Sequence, residues 1–285
     1  MLWPVKLLYA AVIVWFACSL GLVPSVRATE GAALPGSASL DEGYTEMYNL
    51  AFAQAHQTFH AWEEGHPDDP LGTVSDAAAY MFSEFDRLQV LRSEFFVEDK
   101  AFFNLKRQKP DPEVRRHFEA SLEQTKQQAD AILRQKPNDE AAMLANVLRL
   151  ALHANYEALI DKQYWQSLND IKQARNEADI LINKYSDCYD ARLAAGVENY
   201  LLSQKVAPVR FILRLTGAET DKQAGMASLR LVAEKGHYLK PYAKILLAIA
   251  ALRDNNKPEA KRLLEELAHE FPQNNLFRQE LTKLS

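Results

Sequence analysis

His56 and His60 stand four residues apart, and helical periodicity puts both imidazoles on one face. A pair at that spacing can hold a divalent metal, and His66 follows six residues on. The residues between the pair are Gln57, Thr58 and Phe59, so the glutamate base of a zinc-protease helix is missing. Spacing fixes no third ligand. The expectation is therefore solvent-facing histidines, with a metal site as the alternative.

A second group lies on helices that are otherwise apolar. Asn146, Arg149 and His153 recur at i, i+3 and i+7 among Met143, Leu144, Val147, Leu148, Leu150 and Leu152. Arg192, Asn199 and Ser203 make a similar stripe amid Leu193, Ala194, Val197, Leu201 and Leu202. A helix that is apolar on most sides is buried on most sides, so its few polar residues enter a groove or a buried network. In a groove, Arg149 and Arg192 would grip carboxylates in bidentate fashion, and Asn146 and Asn199 would bond to an extended backbone. Asn146, Arg149, His153, Arg192 and Asn199 are accordingly the candidate partner-binding residues. Internal satisfaction, with each arginine paired to an acid of the next helix, is the alternative.

Other chemistry-bearing residues point to less. Glu63-Glu64 and Glu265-Glu266 are adjacent in sequence and diverge on a helix, which suits a solvated face. The chain has neither a Gly-rich phosphate loop nor a Gly-x-Ser-x-Gly elbow, and no signature surrounds Cys188. Tyr80, Phe82, Phe85, Phe95, Phe96, Phe102 and Phe103 form an aromatic-rich stretch that suits packing between long helices better than a sugar or lipid platform. No catalytic step, cofactor or bound metal is expected.

The elements that must hold these residues begin after an apolar leader. Lys6 precedes a run from Leu7 to Val23, Pro24-Ser25 breaks it, and Val26-Arg27-Ala28 ends it with small residues where a signal peptidase reads. The expectation is a cleaved secretion signal over residues 1–28 and a periplasmic or other envelope location. The run also nears the length of a spanning helix, so a retained membrane anchor is the alternative. Cys18 lies inside the run after Trp15-Phe16-Ala17, a poor context for lipid attachment. Losing residues 1–28 removes Lys6 and Arg27 and no acid, which moves the net charge from −5 to −7. An acidic surface argues against nucleic acid. Cys188 would then be the only thiol, so packing alone must hold the fold.

Residues 29–40, rich in Ala, Gly, Ser and Pro, predict a flexible linker. Beyond it a single domain over 41–285 reads as helix with short breaks, at about 42–64, 74–97, 112–135, 139–161, 164–184, 189–204, 221–235, 239–253, 257–270 and 274–283. His66-Pro67-Asp68-Asp69-Pro70, Lys136-Pro137-Asn138-Asp139 and Phe271-Pro272-Gln273-Asn274 each stop a helix at proline and offer a cap two residues later. Tyr185-Ser186-Asp187 occupies the same place without proline, with Asp187 and Asp190 as a potential cap pair. The segment 206–217 interleaves Phe211, Ile212, Leu213 and Leu215 with Arg210 and Arg214, and predicts a short helix capping the core, with a segment lying on a membrane surface as the alternative.

The helices repeat a pattern. Ala55-x3-Phe59-x2-Trp62, Thr125-x3-Ala129-x2-Ile132, Ala174-x3-Ala178-x2-Leu181 and Ala260-x3-Leu264-x2-Leu267 each start twelve residues before a terminator, at Pro67, Pro137, Ser186 and Pro272. With Lys244-x2-Leu247-Ala248-x2-Ala251 ahead of it, the last unit resembles a tetratricopeptide repeat. The resemblance covers residues 41–285 as architecture and is strong over 241–272. It implies an all-α, right-handed α-α superhelix of helix hairpins, a TPR-like solenoid that acts as a protein-binding scaffold. The terminators do not recur at the family's period of about 34 residues, so the helices are longer and insertions separate the pairs.

Overall fold

A computed structural model describes residues 39–90, 109–203 and 221–284. Among them lie eleven α-helices: α1 (Leu40–Tyr48), α2 (Phe52–Gly65), α3 (Pro70–Arg87), α4 (Pro112–Gln135), α5 (Glu140–Tyr156), α6 (Tyr164–Lys184), α7 (Arg192–Ser203), α8 (Lys222–Lys235), α9 (Lys240–Arg253), α10 (Lys257–Glu270) and α11 (Asn275–Leu284). A π-helical turn, Glu157–Asp161, extends α5. Each helix packs on the next in chain order, so the domain is an all-α array of helices in series. The leader, residues 29–38 of the expected linker and the segment 206–217 lie outside the described residues, as do Phe95, Phe96, Phe102 and Phe103. The linker's last two residues are not flexible chain: Ser39 caps α1, accepting from the Glu42 amide, and Leu40 begins it. No described helix is long and apolar enough to cross a membrane.

Close approach makes the stacking possible. The four residues twelve positions before the terminators, Ala55, Thr125, Ala174 and Ala260, are all 0% exposed. Phe59, Ala129 and Ala178 lie fully buried one turn later, with Leu264 nearly so. A Cβ on Gly43 would come within 2.3 Å of the Phe59 ring, so α1 and α2 touch where neither can carry more bulk.

The corners follow their sequence chemistry. Asp69 caps α3 by accepting from the Leu71 amide at 2.9 Å, Asp139 caps α5 from Ala142 at 3.1 Å, and Asn274 caps α11 from Leu276 at 3.0 Å. Asp190 departs from the expected pairing with Asp187. It reaches across to the start of α9, where its carboxylate accepts from the backbone N–H groups of His237 and Tyr238 at 2.9–3.2 Å. Complete burial pushes this carboxyl up to about 8, against the opposing pull of those amides.

Two predicted helices also differ. The helix expected over 42–64 is broken at 49–51, where Leu50 takes a left-handed φ of 62°. The break frees Asn49 and the Tyr48 carbonyl to meet the far end of the chain. Asn49 Oδ1 accepts from the Gln273 amide at 3.0 Å, and Asn274 Nδ2 donates to the Tyr48 carbonyl at 2.8 Å. The helix expected over 74–97 instead starts at Pro70, capped by Asp69, and ends at Arg87.

The array therefore curls until its ends meet. Tyr44 stacks on Tyr238 at 4.5 Å, the Tyr48 hydroxyl donates to the Tyr238 carbonyl at 2.9 Å, and Tyr48 lies against Phe271 at 5.3 Å. Deeper in the same seam, Phe82 of α3 meets Tyr242 of α9 edge to face at 5.7 Å.

Glu84, 0% exposed, accepts from Arg87 Nε and Nη2 at 2.7 Å and from the Asp111 amide at 2.9 Å. Arg87 also donates to the Lys109 carbonyl, so this pair fixes where α4 begins. Arg87→Ala strands the buried carboxylate and should cost about 2–3 kcal/mol, after discounting for partial exposure of the guanidinium. Denaturant unfolding checks this. Ala260→Leu, which adds bulk where none fits, should cost about 1–3 kcal/mol and lower Tm, whereas Lys261→Leu on the exposed face should leave Tm nearly unchanged.

Candidate functional site

The stripe on α5 faces its hairpin partner α6. Arg149 Nε reaches Asn146 Oδ1 at 3.5 Å, and Asn146 is itself buried. One turn on, His153 Nδ1 bonds Asp170 Oδ2 of α6 at 2.5 Å and lies 4.0 Å from Glu157 Oε2. The stripe on α7 is engaged within the fold. Arg192 donates to the Ser186 carbonyl at 3.1 Å, with its Nε buried and lacking a hydrogen-bond partner. Asn199 is buried, and its Oδ1 accepts from the Asp221 amide at 3.3 Å, ahead of α8. The structure thus brings Asn146, Arg149 and His153 together and leaves Arg192 and Asn199 on a separate helix.

The histidine pair on α2 is not simply solvent-facing. His56 Nδ1 bonds Asp76 Oδ1 of α3 at 2.5 Å with its side chain only 19% exposed, and its ring lies tilted against Tyr80 with centroids 4.0 Å apart. His60 Nε2 stands 3.3 Å from Asp76 Oδ2, and Ser121 Oγ donates to the same oxygen at 3.4 Å. His66 stays exposed and stacks on Trp62 at 3.7 Å. Glu63, expected on a solvated face, is half-buried and turns toward Asp76. Burial and the neighbouring Asp76 charge push its carboxyl up.

Two clusters of like composition result, His60–Glu63–Asp76 and His153–Glu157–Asp170. In each, one potential ligand atom from every residue lies within 4.8 Å of the others. Sequence reasoning missed Asp76, Glu157 and Asp170. A signal was present for Asp76, an acid within the small and apolar run Thr73-Val74-Ser75-Asp76-Ala77-Ala78-Ala79. Asp170 stands among many exposed polar residues and gave none.

A third feature is apolar. Where α1 and α3 approach α9 and α11, a cleft of about 90 Å³ is lined by Met47, Phe82, Phe85, Tyr242, Leu246 and Phe277, among others. Ile245, Leu246 and Ile249 of α9 are half-buried along it. Glu280 and Asn274 supply polar groups to its lining. Walls of this kind hold water poorly, because an ordered water needs two to four polar partners. None of the five stripe residues lines the cleft.

No known protein family, curated protein or solved structure matches the chain. Its functional reading rests on these three sites.

The His153 pair has a consequence for pH. The Asp170 hydrogen bond raises the His153 pKa, with burial opposing it and the Glu157 charge assisting. The folded state then holds a proton that the unfolded chain releases above about pH 6.5, so this stabilisation is complete below that value and is lost as pH rises through the folded pKa. His153→Gln should flatten the fall in Tm above about pH 6.5. Thermal melts in chelator at stepped pH measure the difference.

Proposed function

We propose that the chain is an exported, tetratricopeptide-like scaffold of the cell envelope that seats an apolar segment of a protein partner. The observation that carries this reading is the cleft between α1, α3, α9 and α11. Its aliphatic side chains are half-buried on a protein whose described surface otherwise exposes few large apolar groups, Ile180 being one. Apolar groups gathered in one concavity favour a partner that brings apolar side chains of its own. The acidic net charge favours a protein over nucleic acid.

Several features support the scaffold part of the reading. Helices packed in series offer a long, stiff wall, and the small residues twelve positions before each terminator sit where a tetratricopeptide hairpin needs close approach. Contact shifts, in this reading, from the polar stripes to the cleft. His153 and Asn199 already spend their bonds on Asp170 and the Asp221 amide. The leader supports export: an apolar run, a Pro-Ser break and a Val-x-Ala end.

A photo-crosslinking residue at Leu246, irradiated in the envelope fraction, should give a discrete protein adduct. Ile249→Glu should reduce that adduct at least about tenfold while the circular dichroism stays helical, since a charge in an apolar seat costs a few kcal/mol. Adducts with lipid alone, or none, would overturn the reading. Intact mass from the native host should show loss of residues 1–28; an uncleaved mass in the membrane fraction would mean a tethered form instead.

A further inference from the structure

The two acid–histidine clusters share more than composition. In the first, His60 and Glu63 lie three apart on α2, and Asp76 is the seventh residue of α3. In the second, His153 and Glu157 lie four apart at the end of α5 and in its π turn, and Asp170 is the seventh residue of α6. Each hairpin thus turns one imidazole and one carboxylate of its first helix toward a carboxylate at the same depth in its second. From the convergence of these six side chains we propose that the α2–α3 and α5–α6 hairpins each bind a divalent cation of the zinc class.

The donors fit such an ion. One imidazole nitrogen and two carboxylates suit zinc and its borderline neighbours better than magnesium or calcium, which take oxygen alone. Three protein ligands leave a coordination position open for water or a ligand. Bond lengths near 2.0–2.2 Å set donor atoms roughly 3–3.5 Å apart. The pairs seen here, 3.3 Å in the first cluster and 2.5 and 4.0 Å in the second, lie within about 1 Å of that spacing.

The second site also holds a group that calls for a cation, and in the first the shared carboxylate is already held in place. Glu157 is 8% exposed, and its Oε2 is buried with no hydrogen-bond partner, although it faces His153. A carboxylate oxygen in that state carries a desolvation cost that a metal would relieve. Its helix is in π geometry there, a local widening common at functional sites. In the first cluster, Asp76 is 3% exposed and held by outer-sphere partners, with His56 on Oδ1 and Ser121 on Oδ2. Metal carboxylates are oriented in this way by hydrogen bonds behind them. Arg149, one turn before His153, works against a cation at the second site, which should bind the more weakly of the two.

The test titrates the chelator-stripped, purified protein with Zn2+ against a chromophoric competitor, with metal analysis after gel filtration. The wild type should retain two equivalents. His60→Ala and His153→Ala should each lose one, with affinity at the altered site falling more than about 100-fold, and the double variant should retain none. Zn2+ should raise the Tm of the wild type and not that of the double variant. Where an alanine variant fails to fold, Glu63→Gln and Glu157→Gln keep the side-chain shape and should give the same losses. Wild-type retention no greater than the double variant's, or two equivalents surviving both substitutions, would overturn the proposal. If only one of the two substitutions costs an equivalent, the site in the other hairpin is overturned. Displacement by excess Mg2+ would overturn the zinc-class assignment.

Discussion

Helix-to-helix distance is the constraint on which the molecule depends. A side chain at a crossing sets how near two helices come, and here alanine, threonine and glycine keep the separation small at successive crossings. Larger residues then fill the flanks, with Phe59, Leu181 and Leu267 each at 0% exposure. Because each helix rests on the next, an error in one crossing would displace everything further along. That is why residues so small and plain are the least replaceable ones in the fold.

Packing alone does not fix the order of the pieces; buried polar groups do. Asp190 joins the approach to α7 to the start of α9, Glu84 holds the start of α4, and Arg175 links α6 to Glu198 of α7 at 3.1 Å. Each group is buried or nearly so, and each would be costly without its partner, so a misplaced helix would leave a buried polar or charged group unanswered. Asp76 and Glu157 belong to the same population of interior acids, but their nearest neighbours are histidines and further acids rather than arginines. This difference separates a structural staple from a site with chemistry to offer.

Much of the architecture was legible in the chain. Helices over 112–135, 164–184 and 257–270 end where the pattern places them, because capping residues, prolines and apolar periodicity are local signals. The break at Leu50 was not legible: a left-handed leucine has no sequence signature, and its cause lies more than two hundred residues away, at Gln273 and Asn274. The same holds for the sites. His56 and His60 were visible as a pair, but Asp76 becomes their partner only when α3 folds back on α2. On α5 the polar stripe was read correctly as one face; which neighbour that face meets is a tertiary fact. The apolar cleft had the faintest signal of all, since Ile245 and Ile249 look like ordinary core residues until the two ends of the array come together.

The meeting of those ends bears on how the molecule assembles. Tyr44, Tyr48 and Asn49 find their partners at Tyr238, Phe271, Gln273 and Asn274, so their contacts span almost the whole chain. Neighbouring hairpins can form early from local sequence, but this seam can shut only after residues 271–274 have been made, and long-range closure of that kind is slow. Until those residues are made, the array would remain an unsealed ribbon. Late sealing of this kind leaves each helix pair free to open by itself until the seam holds the whole array together.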